Sequence, residues 1–316
     1  MGQPADTFST YDAIGNREDL SDIIYDVSPT ETPFLSAIPK NKATSTKHEW
    51  QVHTLTNASS LNFVIEGDDA TTDAPTATTR LFNYTAISDK VARVTGTQES
   101  MNSAGRKSEM AFQMANRMKE LKRDVEKILM ENQAYAAGND STARKCAGLQ
   151  AWIKTNTSIG AGATAATGDG SDAHTDDGTP RAIQESFVET VLASCWSNGG
   201  TPSMGFLNAF QKGKFAYFDG NATRINDGTK KKIINAVDIY IDPLGTEVRL
   251  VPCRQCPTDV VYFIDPEYVA FSTLRDFRTV DLAKTGDSIR KQILVEYTME
   301  MRNEKAHGGI YDLSAS

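Results

Sequence analysis

The stretch from Arg106 to Gly138, RKSEMAFQMANRMKELKRDVEKILMENQAYAAG, carries the strongest local pattern in the chain. Apolar side chains recur in it at steps of four and three, which places them in one stripe along a helix. They are Met114, Met118, Leu121, Val125 and Ile128. No glycine or proline interrupts the pattern before Gly138, and glycine is a common helix stop. The sequence therefore predicts a helix over about 106–137, a rod of roughly 45 Å.

Charged residues surround this narrow stripe. Lys122 with Glu126, and Asp124 with Lys127, fall at helical contact spacings, which predicts ion pairs on the outer face of the helix. Most of the helix circumference is then expected to face water or another subunit.

A proline-rich segment, DVSPTETPFLSAIPKNKA at 26–43, precedes this helix. Each proline removes a backbone donor and pushes the residue before it toward extended geometry. The segment is therefore not expected to be an ordinary helix or a central strand. Its apolar residues Phe34, Leu35 and Ile38 must nevertheless be buried against some surface.

Residues 47–97 read as a long two-stranded excursion. Trp50 and Val52 alternate with polar residues in KHEWQVHTL at 47–55, which is the period-two pattern of a half-exposed strand. A polar tract follows, and a second β pattern returns over 80–97. A lone hairpin is marginal in water, so this one needs a surface to lie on.

The rest of the chain mixes one helix with many strands. A Gly/Ala/Thr/Asp loop at 157–180 precedes a predicted helix with Pro180 in its first turn and Gly199 at its end. Short strands follow, and a longer one begins at Ser288, with Ile293, Val295, Tyr297 and Met299 on one face. These elements together predict an α+β fold.

The totals exclude several classes of protein. The 316-residue chain has a formal net charge of −8, which argues against a protein whose main task is to grip nucleic acid phosphates. It contains no apolar run of about eighteen residues and no signal-peptide pattern, so no membrane association is expected. The four scattered cysteines favour folding in a reducing, cytosolic environment.

Candidate chemical sites are weak. Cys253 and Cys256 form a C-x-x-C without a second ligand pair nearby, which favours turn cysteines over a metal or redox site. The acidic residues of the 157–180 loop match no dedicated calcium-binding spacing; they are Asp169, Asp172, Asp176 and Asp177. We therefore expect no catalytic residue, no metal site and no cofactor.

The order of these elements resembles that of the major capsid proteins of tailed bacteriophages, which have the Hong Kong 97-like fold. REDLSDIIYDVSPTETPFLSAI at 17–38 resembles the amino-terminal arm of that family. KHEWQVHTL and EGDDA, at 47–55 and 66–70, resemble its extended loop. MKELKRDVEKILMENQAYAAG at 118–138 resembles its spine helix, and EYTMEMRNEKAHGGIYDL at 296–313 resembles its closing strand and tail.

The resemblance implies a division of the chain. It assigns residues 1–45 to an amino-terminal arm, 46–97 to an extended β-hairpin loop, 98–140 with 266–316 to a peripheral domain containing the spine helix, and 141–265 to an axial domain. The arm and loop would then lie across neighbouring subunits. The implied inter-subunit contacts are Pro29, Pro33, Phe34, Leu35, Ile38, Trp50, Phe63 and Ile65.

The implied function is self-assembly, as hexamers and pentamers, into the icosahedral head of a tailed double-stranded DNA phage. The implied partners are a separate scaffolding protein, a portal protein, and packaged DNA bound without sequence specificity. Assembly is expected in the host bacterial cytoplasm, and the product is the virion capsid. Some relatives cross-link subunits through a loop lysine, but this chain has no lysine between Lys47 and Lys90, so no such covalent mesh is expected.

Two alternatives remain open from the sequence. The chain could be another virion subunit of a tail or decoration type, although such a protein gives no role to the 106–138 rod. It could also be a cytosolic metal- or thiol-dependent enzyme that uses Cys253 and Cys256 or the acidic loop.

Overall fold

The structure is a computed structural model. It describes residues 31–56, 58–70, 72–101, 105–176, 178–218, 226–227, 232–233 and 238–315. Pro29 and Asp177, both named in the sequence analysis, lie outside these residues.

Helices and strands alternate irregularly along the chain, in agreement with the predicted α+β class. The helices are α1 Pro33–Ala37, α2 Gly96–Ser100, α3 Glu109–Met130, α4 Leu149–Trp152, α5 Glu185–Ser197 and α6 Ala209–Phe215. The strands are β1 Lys40–Lys42, β2 Lys47–Val52, β3 Thr79–Tyr84, β4 Ala86–Thr95, β5 Thr157–Ser158, β6 Met204–Leu207, β7 Asn226–Asp227, β8 Lys232–Ile233, β9 Ile239–Ile241, β10 Glu247–Pro252, β11 Val261–Ile264, β12 Val269–Asp281, β13 Ser288–Met301 and β14 Gly308–Ile310.

A four-stranded sheet in the order β1-β12-β13-β4 supports the long helix α3. Strands β12 and β13 form an antiparallel hairpin, and β4 pairs antiparallel with β13 from Thr95 opposite Ser288 to Ala86 opposite Tyr297. Strand β1 lies parallel to β12 at the sheet edge. The predicted apolar face of β13 is confirmed: Ile293, Val295, Tyr297 and Met299 are all buried.

A six-stranded sheet in the order β5-β14-β11-β6-β10-β9 forms the second part of the fold. Helix α5 packs on β14 and β5, and Val188 and Val191 bury there with Leu207 and Phe263 of the sheet. The predicted helix over this region is confirmed, but it begins at Glu185. Before the helix, Arg181 instead forms an isolated parallel β-bridge with Leu313, a few residues beyond β14.

Helix α3 is shorter than the sequence predicts. It has 22 residues, or about 33 Å, because it begins after Ser108, whose hydroxyl accepts from the Ala111 amide, and ends at Met130. The residues expected to continue the helix bond to other segments instead. The Asn132 side chain exchanges hydrogen bonds with the backbone of His174, and the Gln133 side chain donates to the Cys146 carbonyl.

The charged face of α3 also differs from the prediction. Asp124 forms its ion pair with Lys90 of β4, at 2.7 Å, rather than with Lys127. Glu126 is completely buried and does not pair with Lys122. The carboxyl-terminal half of the helix therefore faces the core on more sides than its apolar stripe indicates.

The paired part of the extended loop is shorter than predicted. Strands β2 and β3 pair antiparallel, from Lys47 opposite Tyr84 to Val52 opposite Thr79. Strand β4, predicted to belong to the extended loop, lies instead in the four-stranded sheet. Similarly β14, expected in the peripheral domain, lies in the six-stranded sheet, where it pairs with β11 and β5. The division into peripheral and axial domains stays a prediction.

Candidate inter-subunit surfaces

The proline-rich segment folds onto its own chain. Pro33 occupies the first turn of α1, where a missing backbone donor costs nothing. Phe34, Leu35 and Ile38 are 0 %, 6 % and 4 % exposed, and the Phe34 ring packs edge-on against Phe206 at 5.4 Å. The subunit's own core therefore covers most of the surface of these three side chains, and their predicted role as inter-subunit contacts stays a prediction.

Glu126 of α3 holds this segment in place. Its carboxylate accepts from the backbone N–H groups of Phe34, at 3.3 Å, and Leu35, at 3.2 Å. The Cys253 thiol also donates to it, at 3.1 Å. Burial raises the pKa of Glu126, while these three hydrogen bonds act in the opposite direction. One carboxylate thus joins α1, α3 and the turn that follows β10.

No sequence signal indicated this role for Glu126, since a glutamate between lysines on a helix is typical of a solvated face. The helix start at Pro33 did have a signal. Proline is favoured at the first helical position, although it breaks helices elsewhere.

The base of the extended loop is fixed to the four-stranded sheet. The Trp50 indole N–H donates to the Met301 carbonyl at 2.8 Å, and its ring lies 5.4 Å from that of Trp152. Trp50 is half-buried and anchors the loop within its own chain. Its predicted contact with a neighbouring subunit stays a prediction.

Glu300 of β13 reinforces the base of the loop. His48 Nε2 lies 3.1 Å from its carboxylate, which also accepts from the side chains of Asn41, Ser272 and Arg302. The hydrogen bond with His48 is the main cause that lowers the pKa of Glu300 to about 2. A charged, buried acceptor therefore connects β1, β2, β12 and β13.

The far end of the loop is exposed. We define the tip loop as residues 53–78, between β2 and β3; every one of its described residues is exposed. Phe63 is 85 % exposed and Ile65 is 79 % exposed, and their neighbours Leu61 and Val64 are similarly open. Both sequence-predicted contact residues of the tip loop therefore remain available to a partner.

The chemical candidates show no assembled site. All four cysteines are reduced and buried, and burial raises the pKa of the Cys253 thiol to about 12 and that of Cys256 well above its usual value. Asp169 and Asp172 accept hydrogen bonds from Thr167 and Ser171 within their own turn. Within the described ranges, no three His, Cys, Asp or Glu side chains are grouped to hold a metal ion. Nor does any helix of these ranges have the length and apolar character needed to span a membrane.

The architecture recurs in solved phage capsids. The capsid asymmetric unit of Cyanophage A-1(L) matches with a TM-score of 0.66 at 10 % identity, over 98 % of this chain and 99 % of that one. A Mycobacterium phage Adephagia chain matches with a TM-score of 0.61 at 11 % identity, over 97 % and 98 %. The exposed tip loop, the long helix and the two flanking sheets thus define a Hong Kong 97-like capsid fold.

The sequence identifies the family within this class. The sequence model of the SU10 major capsid protein family matches residues 5–314, and the chain belongs to that family. The major capsid protein of Escherichia phage Phieco32 is 27 % identical over 339 residues, spanning 96 % of each chain. The chain has the function of a tailed-phage major capsid protein, which forms the icosahedral capsid. The family match is to a major capsid protein, not to a tail or decoration subunit.

Proposed function

We propose that the tip loop lies on a neighbouring subunit and is a principal contact by which hexamers and pentamers of this protein form the head. The observation that carries this proposal is the exposure of Phe63 and Ile65 at the end of a loop whose base is rigidly anchored. A contiguous exposed apolar segment is typical of an interaction site.

The energetic gain is substantial for each subunit. Burying a large apolar side chain is worth roughly 1.5–3 kcal/mol, so full burial of Phe63, Val64 and Ile65 corresponds to about 5–9 kcal/mol before the cost of ordering the loop. Because every subunit both gives and receives such a contact, modest individual contacts add up over a closed shell.

The family and the charge of the chain support the remaining roles that we propose. We assign an amino-terminal arm, a peripheral domain around α3 and an axial domain containing α5, whose loops gather at symmetry axes. The net charge of −8 suits a shell into which DNA is packaged without sequence-specific binding. A separate scaffolding protein and a portal protein complete the head, assembly occurs in the bacterial cytoplasm, and the protein has no enzymatic activity.

The test replaces the apolar tip. Phe63→Ser/Ile65→Ser should leave a folded, soluble subunit that forms no closed shells when co-expressed with the scaffolding protein, as judged by negative-stain microscopy. Met101→Ser is the matched control, because Met101 is also exposed, at 62 %, but lies outside the tip loop. Closed shells of normal yield from the double variant would refute the proposal.

A further inference from the structure

Asn198 and Gly199, directly after α5, form the one Asn-Gly pair of the sequence. Asparagine is among the thermolabile residues of proteins. A following glycine makes it more reactive, because glycine has no side chain to hinder attack by its own backbone nitrogen. Asn198 is exposed, so water can reach its side chain. The pair is therefore a candidate site of covalent change in a particle that persists long after its synthesis.

The reaction at such a pair needs only the chain and water. The backbone nitrogen of Gly199 attacks the side-chain carbonyl carbon of Asn198 and forms a new C–N bond. The side-chain nitrogen leaves as ammonia and takes the proton of the Gly199 N–H with it. Water then opens the five-membered imide at either of its carbonyl groups, which gives aspartate or isoaspartate. The net change is one water consumed and one ammonia released.

Hydrogen bonds hold both reacting groups away from this path. The Asn198 side chain donates to Oδ1 of Asn156 at 3.0 Å and to the Ser194 carbonyl at 2.9 Å. The Gly199 N–H, which contains the attacking nitrogen, donates to the Trp196 carbonyl at 2.9 Å. Both groups must leave these partners before they can meet. Because each lost hydrogen bond adds to the barrier, the folded chain should react more slowly than the unfolded chain.

Asn156 is the buried member of this arrangement, at 1 % exposed. Its Oδ1 also accepts from the Ser194 hydroxyl at 2.7 Å. Its amide nitrogen donates to the carbonyls of Lys305 and His307, at 2.7 and 2.9 Å. These bonds fix the orientation of Asn156 from two sides, so it presents an immobile acceptor to the side chain of Asn198.

We propose that Asn198 is a site of spontaneous deamidation, that Asn156 limits its rate, and that the product loosens the end of α5. A carboxylate at position 198 has no N–H group, so it cannot donate to Asn156 or to the Ser194 carbonyl. It instead places negative charge against two acceptor oxygens and at the carboxyl-terminal end of a helix, where the helix dipole disfavours it. The modified subunit therefore loses a contact between α5 and the segment that precedes β5.

Peptide mapping by mass spectrometry tests the site. Assembled particles are incubated at neutral pH beside the same chain unfolded in urea, and the conversion of each asparagine to aspartate or isoaspartate is followed with time. Asn198 should convert more slowly in particles than in the unfolded chain. In particles it should convert faster than Asn208, which is followed by alanine rather than glycine. An Asn198 that stays intact in particles until it is fully converted in the unfolded chain would overturn the proposal.

Two substitutions of Asn156 test its control of the rate. Asn156→Ala removes the acceptor and should raise the rate at Asn198 roughly fivefold, which corresponds to about 1 kcal/mol. Asn156→Asp is the matched control: it loses the same two bonds to Lys305 and His307 but keeps Oδ1, so the rate should stay near that of the natural protein. An unchanged rate in Asn156→Ala, or equal acceleration in both variants, would overturn the role of Asn156.

The consequence for α5 is tested without waiting for the reaction. Asn198→Asp places one of the products directly, whereas Asn198→Ala removes the same donors without adding charge. Amide hydrogen exchange in the last turn of α5 should be faster in Asn198→Asp than in Asn198→Ala, and slowest in the natural protein. Equal exchange in all three proteins would show that the product leaves the helix end unchanged, and this part of the proposal would then be wrong.

Discussion

Replacing Glu126 with alanine should weaken the attachment of α1 to α3. The change leaves three buried donors without an acceptor: the amides of Phe34 and Leu35 and the thiol of Cys253. An unsatisfied buried donor costs about 1–3 kcal/mol, and the thiol is a weak donor. The alanine variant also no longer has to bury a carboxylate, and this offsets part of the cost. We therefore expect a net loss of about 2–4 kcal/mol in the free energy of unfolding.

The assay is urea or thermal unfolding of the unassembled subunit, combined with limited proteolysis of the arm. For a chain of this length, each kcal/mol lowers Tm by roughly 2 °C, so the expected drop is about 4–8 °C. New cleavage should occur near Phe34 and Leu35, which are buried in the native subunit. Equal unfolding midpoints and equal protease resistance of the two proteins would refute the assigned role of Glu126.

The isosteric variant Glu126→Gln is a matched control, and it tests the direction in which stability changes with pH. Burial raises the pKa of Glu126, so the folded state binds its proton more tightly than the unfolded state does. The contribution of Glu126 to folding stability is then complete below the pKa of a glutamate in the unfolded chain, near 4.3. It is lost as the pH rises through the raised pKa of Glu126 in the folded state. Glu126→Gln should remove this dependence, so its stability relative to the natural protein should improve from pH 4 to pH 8. The opposite slope would show that hydrogen bonding to the carboxylate outweighs its desolvation.

Three further predictions concern other parts of the molecule. Glu300→Gln should lower stability at pH 7 by about 2–4 kcal/mol, because the pKa of Glu300 is lowered to about 2; this difference should shrink as the pH falls from 4.5 toward 2 in unfolding experiments. Cys253→Ser/Cys256→Ser should still give closed shells by microscopy, whereas loss of shells from a correctly folded double variant would favour a required thiol or metal site. Mature particles should run as single-subunit bands on a denaturing gel, because no lysine lies between Lys47 and Lys90; a ladder of higher bands would contradict this expectation.

The existence of the main helix could be predicted from the sequence, but its ends could not. The apolar repeat from Met114 to Ile128 identifies the face of the helix that packs on the sheet. Nothing within residues 131–137 distinguishes them from more helix, because their hydrogen-bond partners lie later in the chain: Cys146 is 13 residues from Gln133, and His174 is 42 residues from Asn132. Helical propensity is a weak preference that such contacts override.

The predicted contact residues differ in burial, and the sequence could not show this because burial also depends on distant parts of the chain. Residue types show that Phe34, Ile38 and Phe63 need burial, but not which surface provides it. Phe34 and Ile38 meet the subunit's own core, while Phe63 remains 85 % exposed at the end of an anchored loop. Membership of the family was predictable because it depends on the order of elements along the chain, and that order survives errors in individual boundaries.

The pairing of β4 with β13 has a consequence for synthesis. Ser288 must align opposite Thr95, so strands almost two hundred residues apart along the chain become neighbours in one sheet, and α3 packs against both. A ribosome that has finished α3 has already made β4 but has not yet made β13, the second strand against which the helix packs. The four-stranded sheet can therefore form only late in translation, and an incomplete chain cannot present a native assembly surface to other subunits.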